Sequence, residues 1–220
     1  MELRSDFQQR AVVIAGEEKW TASPMPGVDR LMLDRIGGEK ARATSVVRYA
    51  PGSLFPEHVH DEGEEFLVLE GIFSDEHGDF GPGTYVRNPP GSSHAPGSAP
   101  GCTIFVKLRQ FDPEDTIHVV IDTTAAAWSP GLVPGLEVLP LHSFSTENVA
   151  LVRWAAGTVF DRHSHPQGEE IFVIDGVFED EFGRYPTGSW LRNPPASSHA
   201  PFSDEGCLIY VKTGHLPSPG

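Results

Sequence analysis

The chain has 220 residues, 39% of them hydrophobic, and its 31 acidic against 16 basic side chains give a formal net charge of −15. Such a surplus opposes phosphate backbones and anionic membrane faces, so neither nucleic acid nor membrane is an expected partner. The first residues form no apolar signal core, and no later apolar run approaches the roughly 20 residues that span a bilayer; a cytoplasmic protein is expected.

In chain order, residues 1–19 show no strong period and read as an arm. From Trp20 a pattern begins that returns later: Trp20, Pro26-Gly27-Val28 and Leu31-Met32-Leu33 recur as Trp128, Pro134-Gly135-Leu136 and Leu139-Pro140-Leu141. Thr44 to Ala50 and Asn148 to Ala155 are short branched and aromatic runs stopped at Pro51-Gly52 and Ala156-Gly157, which predicts strands. Further strands are predicted over Glu65–Glu70, Ile72–Glu76, Thr84–Asn88 and Cys102–Leu108, with glycine- and proline-rich turns between them and no helical period. This pattern argues for an all-β sandwich or barrel. Asp112 to Ala127 joins the halves, and Thr116 to Ile121 is apolar enough to be a strand added to one sheet. The repeat predicts two domains, at 20–111 and 128–220, with 112–127 as the linker.

The chemistry concentrates between Gly52 and His94. His58 and His60 stand two apart, so on a strand both imidazoles share one face while Val59 points away. Glu64 follows at the start of an apolar run, and His94 returns after a glycine- and proline-rich turn. His163, His165, Glu169 and His199 repeat the set 105 residues later. Three imidazoles with one carboxylate suit a divalent transition ion, up to two per chain. Zinc is the favoured ion, with iron, manganese or nickel as alternatives; the set is too rich in nitrogen for a calcium or magnesium cage.

The spacing Gly52, five residues, His58-Val-His60, three residues, Glu64, six residues, Gly71 resembles the first motif of the cupin superfamily. Gly83, five residues, Pro89-Pro90-Gly91-Ser92-Ser93-His94 resembles its second. Where the second motif continues to an asparagine this chain has Ser98 and Ser203, and Ala196 replaces the motif's last glycine; all eight ligand positions are kept. The likeness implies a bicupin, two tandem double-stranded β-helix (jelly-roll) barrels. More narrowly, Gly63-Glu64-Glu65-Phe66-Leu67-Val68-Leu69-Glu70-Gly71 and Arg87-Asn88-Pro89-Pro90-Gly91-Ser92-Ser93-His94 resemble the cupin domain of ChrR-type anti-sigma factors. That resemblance implies a metal-binding regulatory or sensor module of the oxidative, singlet-oxygen response. The alternative is a metal-dependent dioxygenase or other cupin oxidoreductase acting on a small organic substrate. The family's sigma-factor-gripping zinc element has no counterpart, since no CxxC occurs in the sequence, so a sigma factor is not an expected partner of this chain alone. A small molecule in the barrels and a homodimer are both compatible with the sequence.

Other residues carry plainer expectations. Glu65 and Glu170 follow the ligand glutamates directly, so strand alternation turns them away from the ion and into a supporting role. Arg87 and Arg192 are expected to form structural ion pairs, with Asp75-Glu76 and Asp180-Glu181 as the nearest candidates, rather than an anion clamp. Phe55, Phe73 and Tyr85, with Phe160, Phe178 and Trp190, read as core. Cys102 and Cys207, at equivalent positions, read as buried apolar-type thiols rather than redox groups. Glu57 and Arg162 occupy one repeat position with opposite charge, so two ligand pockets would differ. No GxSxG, no cysteine beside a histidine and no phosphate-binding glycine loop is present, so any catalysis would depend on the metal.

Overall fold

The computed structural model describes residues 1–217; the end of the second predicted domain, 218–220, lies outside them. No helix occurs among the described residues, and the chain is all-β, in two compact units. One unit holds Met1–Ser5 and Lys19–Ala126; the other holds Asp6–Glu18 and the chain from Ala127 on.

In the first unit the main sheet runs Glu2–Leu3, Val28–Gly37, Ala41–Tyr49, Cys102–Leu108, Glu64–Gly71, Thr84–Asn88 and Val119–Asp122, every pair antiparallel. A four-stranded sheet of Gly78–Phe80, Phe73–Asp75, Gly97–Ser98 and Ser53–Leu54 accompanies it. Alternation gives each strand an apolar inner face, and Val47, Phe66, Val68, Phe73, Val86, Ile104 and Val106 meet in one core. The second unit repeats the order with Leu136–Phe144, Glu147–Trp154, Cys207–Thr213, Glu169–Asp180 and Trp190–Asn193. Its core contains Ile171, Val173, Phe178, Tyr185, Leu191 and Ile209. Two tandem jelly-roll barrels are therefore present, as the repeat and the motif spacing predict.

Residues 1–19, for which the sequence offers no role, divide between the units. Glu2–Leu3 pairs with Arg35–Ile36 in the first, whereas Ala11–Val13 pairs with Trp190–Arg192 in the second. Val119, opposite Arg87, occupies the place in the first unit that Ala11, opposite Arg192, occupies in the second. Each main sheet is thus closed by a strand from the start of the other repeat.

Gly71, at the end of Glu64–Gly71, and Gly176, within Glu169–Asp180, have φ 73° and 74°, a conformation L side chains rarely adopt. A Cβ there would lie 2.0 and 2.1 Å from the carbonyl oxygens of Gly101 and Gly206. Gly52 has a similar φ of 78° but open space around it. Gly71→Ala should therefore lower the urea midpoint by well over the equivalent of about 1 kcal/mol, and by clearly more than Gly52→Ala. Equal effects would show that the close approach of backbones does not matter.

Candidate metal centres

The register of the strands assembles each cluster. His58 lies opposite His94 in the pairing of His58–Val59 with Ser93–His94, and His163 lies opposite His199 in that of His163–His165 with Ser197–His199. Because the two-residue period returns His60 and His165 to the same face, three rings converge in each unit. Ring centroids stand 5.0 Å (His58–His60), 5.0 Å (His58–His94) and 4.7 Å (His60–His94) apart in the first unit. In the second they are 4.7, 5.0 and 5.1 Å apart. The Nδ1 atoms of His58 and His163 lie 3.2 and 3.0 Å from the carbonyls of Pro56 and Asp161, which turns their Nε2 atoms inward.

The glutamates arrive from the next strand along the chain, which belongs to the main sheet. Glu64 is opposite Asn88, and Glu169 opposite Asn193, and each asparagine donates its side-chain amide to the carboxylate, at 3.3 and 3.0 Å. Glu169 Oε2 lies 3.5 Å from His165 Nε2 and 3.4 Å from His199 Nε2; potential ligand atoms of His163, His165, Glu169 and His199 all fall within 4.8 Å of one another. In the first unit the set drawn that tightly is His58, His60 and His94. Glu64 Oε2 approaches two of them, at 3.5 Å from His60 and 3.6 Å from His94.

Supporting groups fix the last histidines. Asp75 Oδ2 is 3.1 Å from His94 Nδ1, and Asp180 Oδ2 is 3.5 Å from His199 Nδ1, leaving Nε2 facing the cluster. In the second unit Arg10, from the amino-terminal arm, reaches Asp180 at 2.8 Å, Asn193 at 2.9 Å and Tyr185 at 2.7 Å. It therefore touches both residues that hold the cluster's glutamate and last histidine. The sequence reading does not single out Asn88, Asn193, Asp75, Asp180 or Arg10 for this role. The asparagines lie in the repeated Arg-Asn-Pro-Pro and the aspartates at matching repeat positions, which is the available signal; Arg10 has no such signal, its repeat counterpart being His118.

Arg87 and Arg192 are structural, but not with the predicted partners. Arg87 is wholly buried between Glu65, at 2.8 Å, and Asp115, at 2.6 Å, with Phe111 beneath its guanidinium. Arg192 stacks on Phe7 and donates to the Asp6 carbonyl. The reason is strand alternation: Arg87 lies opposite Glu65 and shares its outward face, whereas Asp75 faces His94. Tyr85 and its counterpart Trp190 donate to Glu65 and Glu170, both at 2.7 Å. Phe73, Tyr85, Phe178 and Trp190 are buried as expected, while Phe55 and Phe160 are half-buried. Cys102 and Cys207 are free and buried, and burial pushes the Cys207 thiol up to about 12.

The first cluster borders a cavity of about 430 Å³ lined by His58, His60 and Glu64, with Val47, Tyr49 and Ile104 among its apolar walls.

The electrostatics suit cation binding. Burial, followed by the neighbouring His58, pushes the pKa of His60 down to about 4, and burial also lowers those of His94 and His165. Those three rings are neutral at neutral pH, with lone pairs available as ligands. Burial raises the carboxyl of Glu64, against the pull of His94 and His58. Asp180 is held low although burial opposes it, because the nearby His199 ring, the hydrogen bond from Tyr185 and the charge of Arg10 prevail. The Nε2 atom of His60 is buried without a hydrogen-bond partner, and those of His165 and His199 face each other at 3.2 Å. Nitrogens directed at one another, or left without a hydrogen bond beside a carboxylate, fit a shared cation better than they fit a hydrogen-bond network. A histidine that titrates at about 4 when folded and near ~6.5 when unfolded adds stability above the unfolded value. That contribution is lost as the pH falls through the interval, since the unfolded chain takes up the proton first. The urea midpoint of ion-free protein should accordingly fall between pH about 7 and 5, and fall less in His60→Gln; a flat midpoint in the wild type would contradict a buried neutral imidazole.

Comparisons with known proteins place this geometry. The family model described as the ChrR cupin-like domain matches residues 8–112 and again 116–217. None of the curated proteins matches the chain. Among solved structures, the protein from Nostoc punctiforme described as a "putative dioxygenase" is similar at a TM-score of 0.78 and 16% identity, over 97% of this chain and 85% of that one. Ylba from E. coli is similar at 0.71 and 16%, over 97% and 94%. A single-residue variant of the oxalate decarboxylase of Bacillus subtilis is similar at 0.60 and 17%, over 93% and 77%. At these identities the structures show a shared fold. With nearly all of its length covered by two successive copies of the model, the chain belongs to the ChrR cupin-like domain family.

Proposed function

We propose that the chain is a metal-dependent cupin that handles a small organic molecule at its first cluster. In this reading His58, His60, Glu64 and His94 hold one divalent transition ion, and His163, His165, Glu169 and His199 hold a second. The single observation that carries it is the cavity whose lining includes His58, His60 and Glu64. A volume of that size lies within the usual range of small-ligand sites, roughly 300–1,000 Å³. When bound, an ion with free coordination positions supplies Lewis acidity and, if it is iron or manganese, redox chemistry with oxygen.

The residues' own part is positional. Asn88 and Asp75 fix the glutamate and the last histidine, and Asn193 and Asp180 do the same in the second unit. Val47, Tyr49 and Ile104 give the cavity an apolar wall beside the cluster. Among the neighbours, the Nostoc protein carries the name of this reaction class, which accords with an oxidoreductase. A second reading, a regulatory or sensor module, is favoured by the name of the matching family model. It needs the same ions and a protein partner.

Elemental analysis of chelator-free protein should find up to two ions per chain. His60→Ala and His165→Ala should each remove about one, and unchanged content in both variants would refute the assignment. Oxygen uptake with a small organic substrate, lost in His60→Ala, would favour the oxidoreductase. Capture of a purified sigma factor with no such uptake would favour the sensor.

A further inference from the structure

The two units part company at Arg30. In the first, Arg30 lies opposite Val47, which pairs with Ile104; in the second, Val138 lies opposite Val152, which pairs with Ile209. The register thus makes Val138 the counterpart of Arg30, so that one unit has a guanidinium where the other has an isopropyl group. Arg30 lines the cavity beside the first cluster.

Its hydrogen-bonding capacity is not used up. The Nε atom is buried and finds no hydrogen-bond partner. The acid paired with the side chain is Glu39, 3.9 Å from Nη1 and itself 73% exposed, too far for a hydrogen bond. The other two cations of the lining are engaged: Lys40 and Arg109 both meet Asp61, at 3.3 and 3.4 Å, and Arg109 also meets Glu62. A planar guanidinium with donors to spare beside apolar walls matches a carboxylate, whose two oxygens accept from its fork. Leaving a buried charged donor unbonded is costly, and a bound carboxylate removes that cost. Charge leads to the same ligand. Arg30, Lys40 and Arg109 balance Glu39, Asp61 and Glu64 in the lining, so a divalent ion at the cluster leaves an excess of positive charge.

We propose that the first unit recognises a small organic carboxylic acid: its carboxylate on Arg30, its apolar body along Val28, Val47, Tyr49, Ile104 and Val106, and a second oxygen donor towards the histidine cluster. The second unit, with Val138, does not select for the acid group. This deepens the small-molecule reading above and rests on it only for the role of the ion.

Calorimetric titration of the full chain with 4-hydroxyphenylacetate and 4-methyl-2-oxopentanoate, each against its amide, tests the assignment. Both carry an apolar body and an oxygen donor, and the amide removes only the charge. At least one acid should bind tighter than its amide by about 10- to 100-fold, the usual worth of a hydrogen bond to a charged group. Arg30→Met should abolish that preference while leaving the amide's affinity and the ion content unchanged, and Arg30→Lys should restore part of it. Binding of neither acid, equal binding of acid and amide, or a preference that survives Arg30→Met would overturn the proposal. Ion analysis of the same samples separates the two claims. A preference lost with Arg30 in protein that binds no ion would leave the arginine assignment standing and remove the metal reading, whereas two bound ions with no preference would do the reverse.

Discussion

Gathering three imidazoles and a carboxylate at one partly dry point costs solvation free energy, and each cluster persists because the sheet imposes it. Antiparallel register sets His58 against His94 and His163 against His199, and the two-residue period returns His60 and His165 to the same place. The next strand along the chain, in the main sheet, then delivers Glu64 and Glu169 with an asparagine opposite each. The penalty shows in the lowered basicity of His60, His94 and His165 and in the unsatisfied Nε2 of His60. A divalent ion held there would offset it by accepting the lone pairs that burial has left without donors. The surrounding barrel can be understood as the frame that keeps these registers from slipping.

That frame has a second set of buried charges on the outward face of the same strands. Glu65 and Arg87 sit opposite each other, one residue beyond the cluster's glutamate and one before the asparagine that donates to it, and Asp115 completes the set. Removing one member of such a buried set is costly because the remaining charge cannot reach water. The same alternation that aims Glu64 inward therefore locks its strand from behind through Glu65. In the second unit Glu170 is held by Trp190 and His215, so that the arrangement is kept with different side chains.

The histidine clusters are legible in the sequence because ligand spacing and strand period are the same physical fact, and the exact second copy removes chance as an explanation. The fold is legible for a related reason: short apolar runs between glycines and prolines have few ways to pack other than as antiparallel sheets. The partner of Ala11–Val13 is not legible. Three apolar residues carry no address, and their assignment to the second unit follows from the edge left beside Trp190–Asn193. The offset of 108 that relates Trp20 to Trp128 does extend back to Ala11 and Val119, which is the signal available. Arg87 reads as structural from its position before Asn-Pro-Pro, but its partner Asp115 lies in the linker, where sequence distance conceals the contact. Opposite charge makes Glu57 and Arg162 the sequence's candidates for a difference between the units. Glu57 accepts from Ser93, and Arg162 pairs with Glu181, each spent on its own loop. The difference that reaches the cavity is Arg30 against Val138, a pair that the offset of 108 relates in the sequence and that the structure sets beside the first cluster.

A metal-dependent cupin built on this repeat holds its ions at two sites of the same four-residue kind. Anomalous X-ray scattering from a crystal of the protein, measured on either side of the absorption edge of the ion found in solution, tests this most directly. Two peaks per chain are predicted, one among His58, His60, Glu64 and His94 and one among His163, His165, Glu169 and His199, each about 2.0–2.2 Å from its ligand atoms. Ion density elsewhere in the chain, or imidazoles joined to one another through hydrogen bonds with no anomalous peak between them in ion-supplemented crystals, would contradict it.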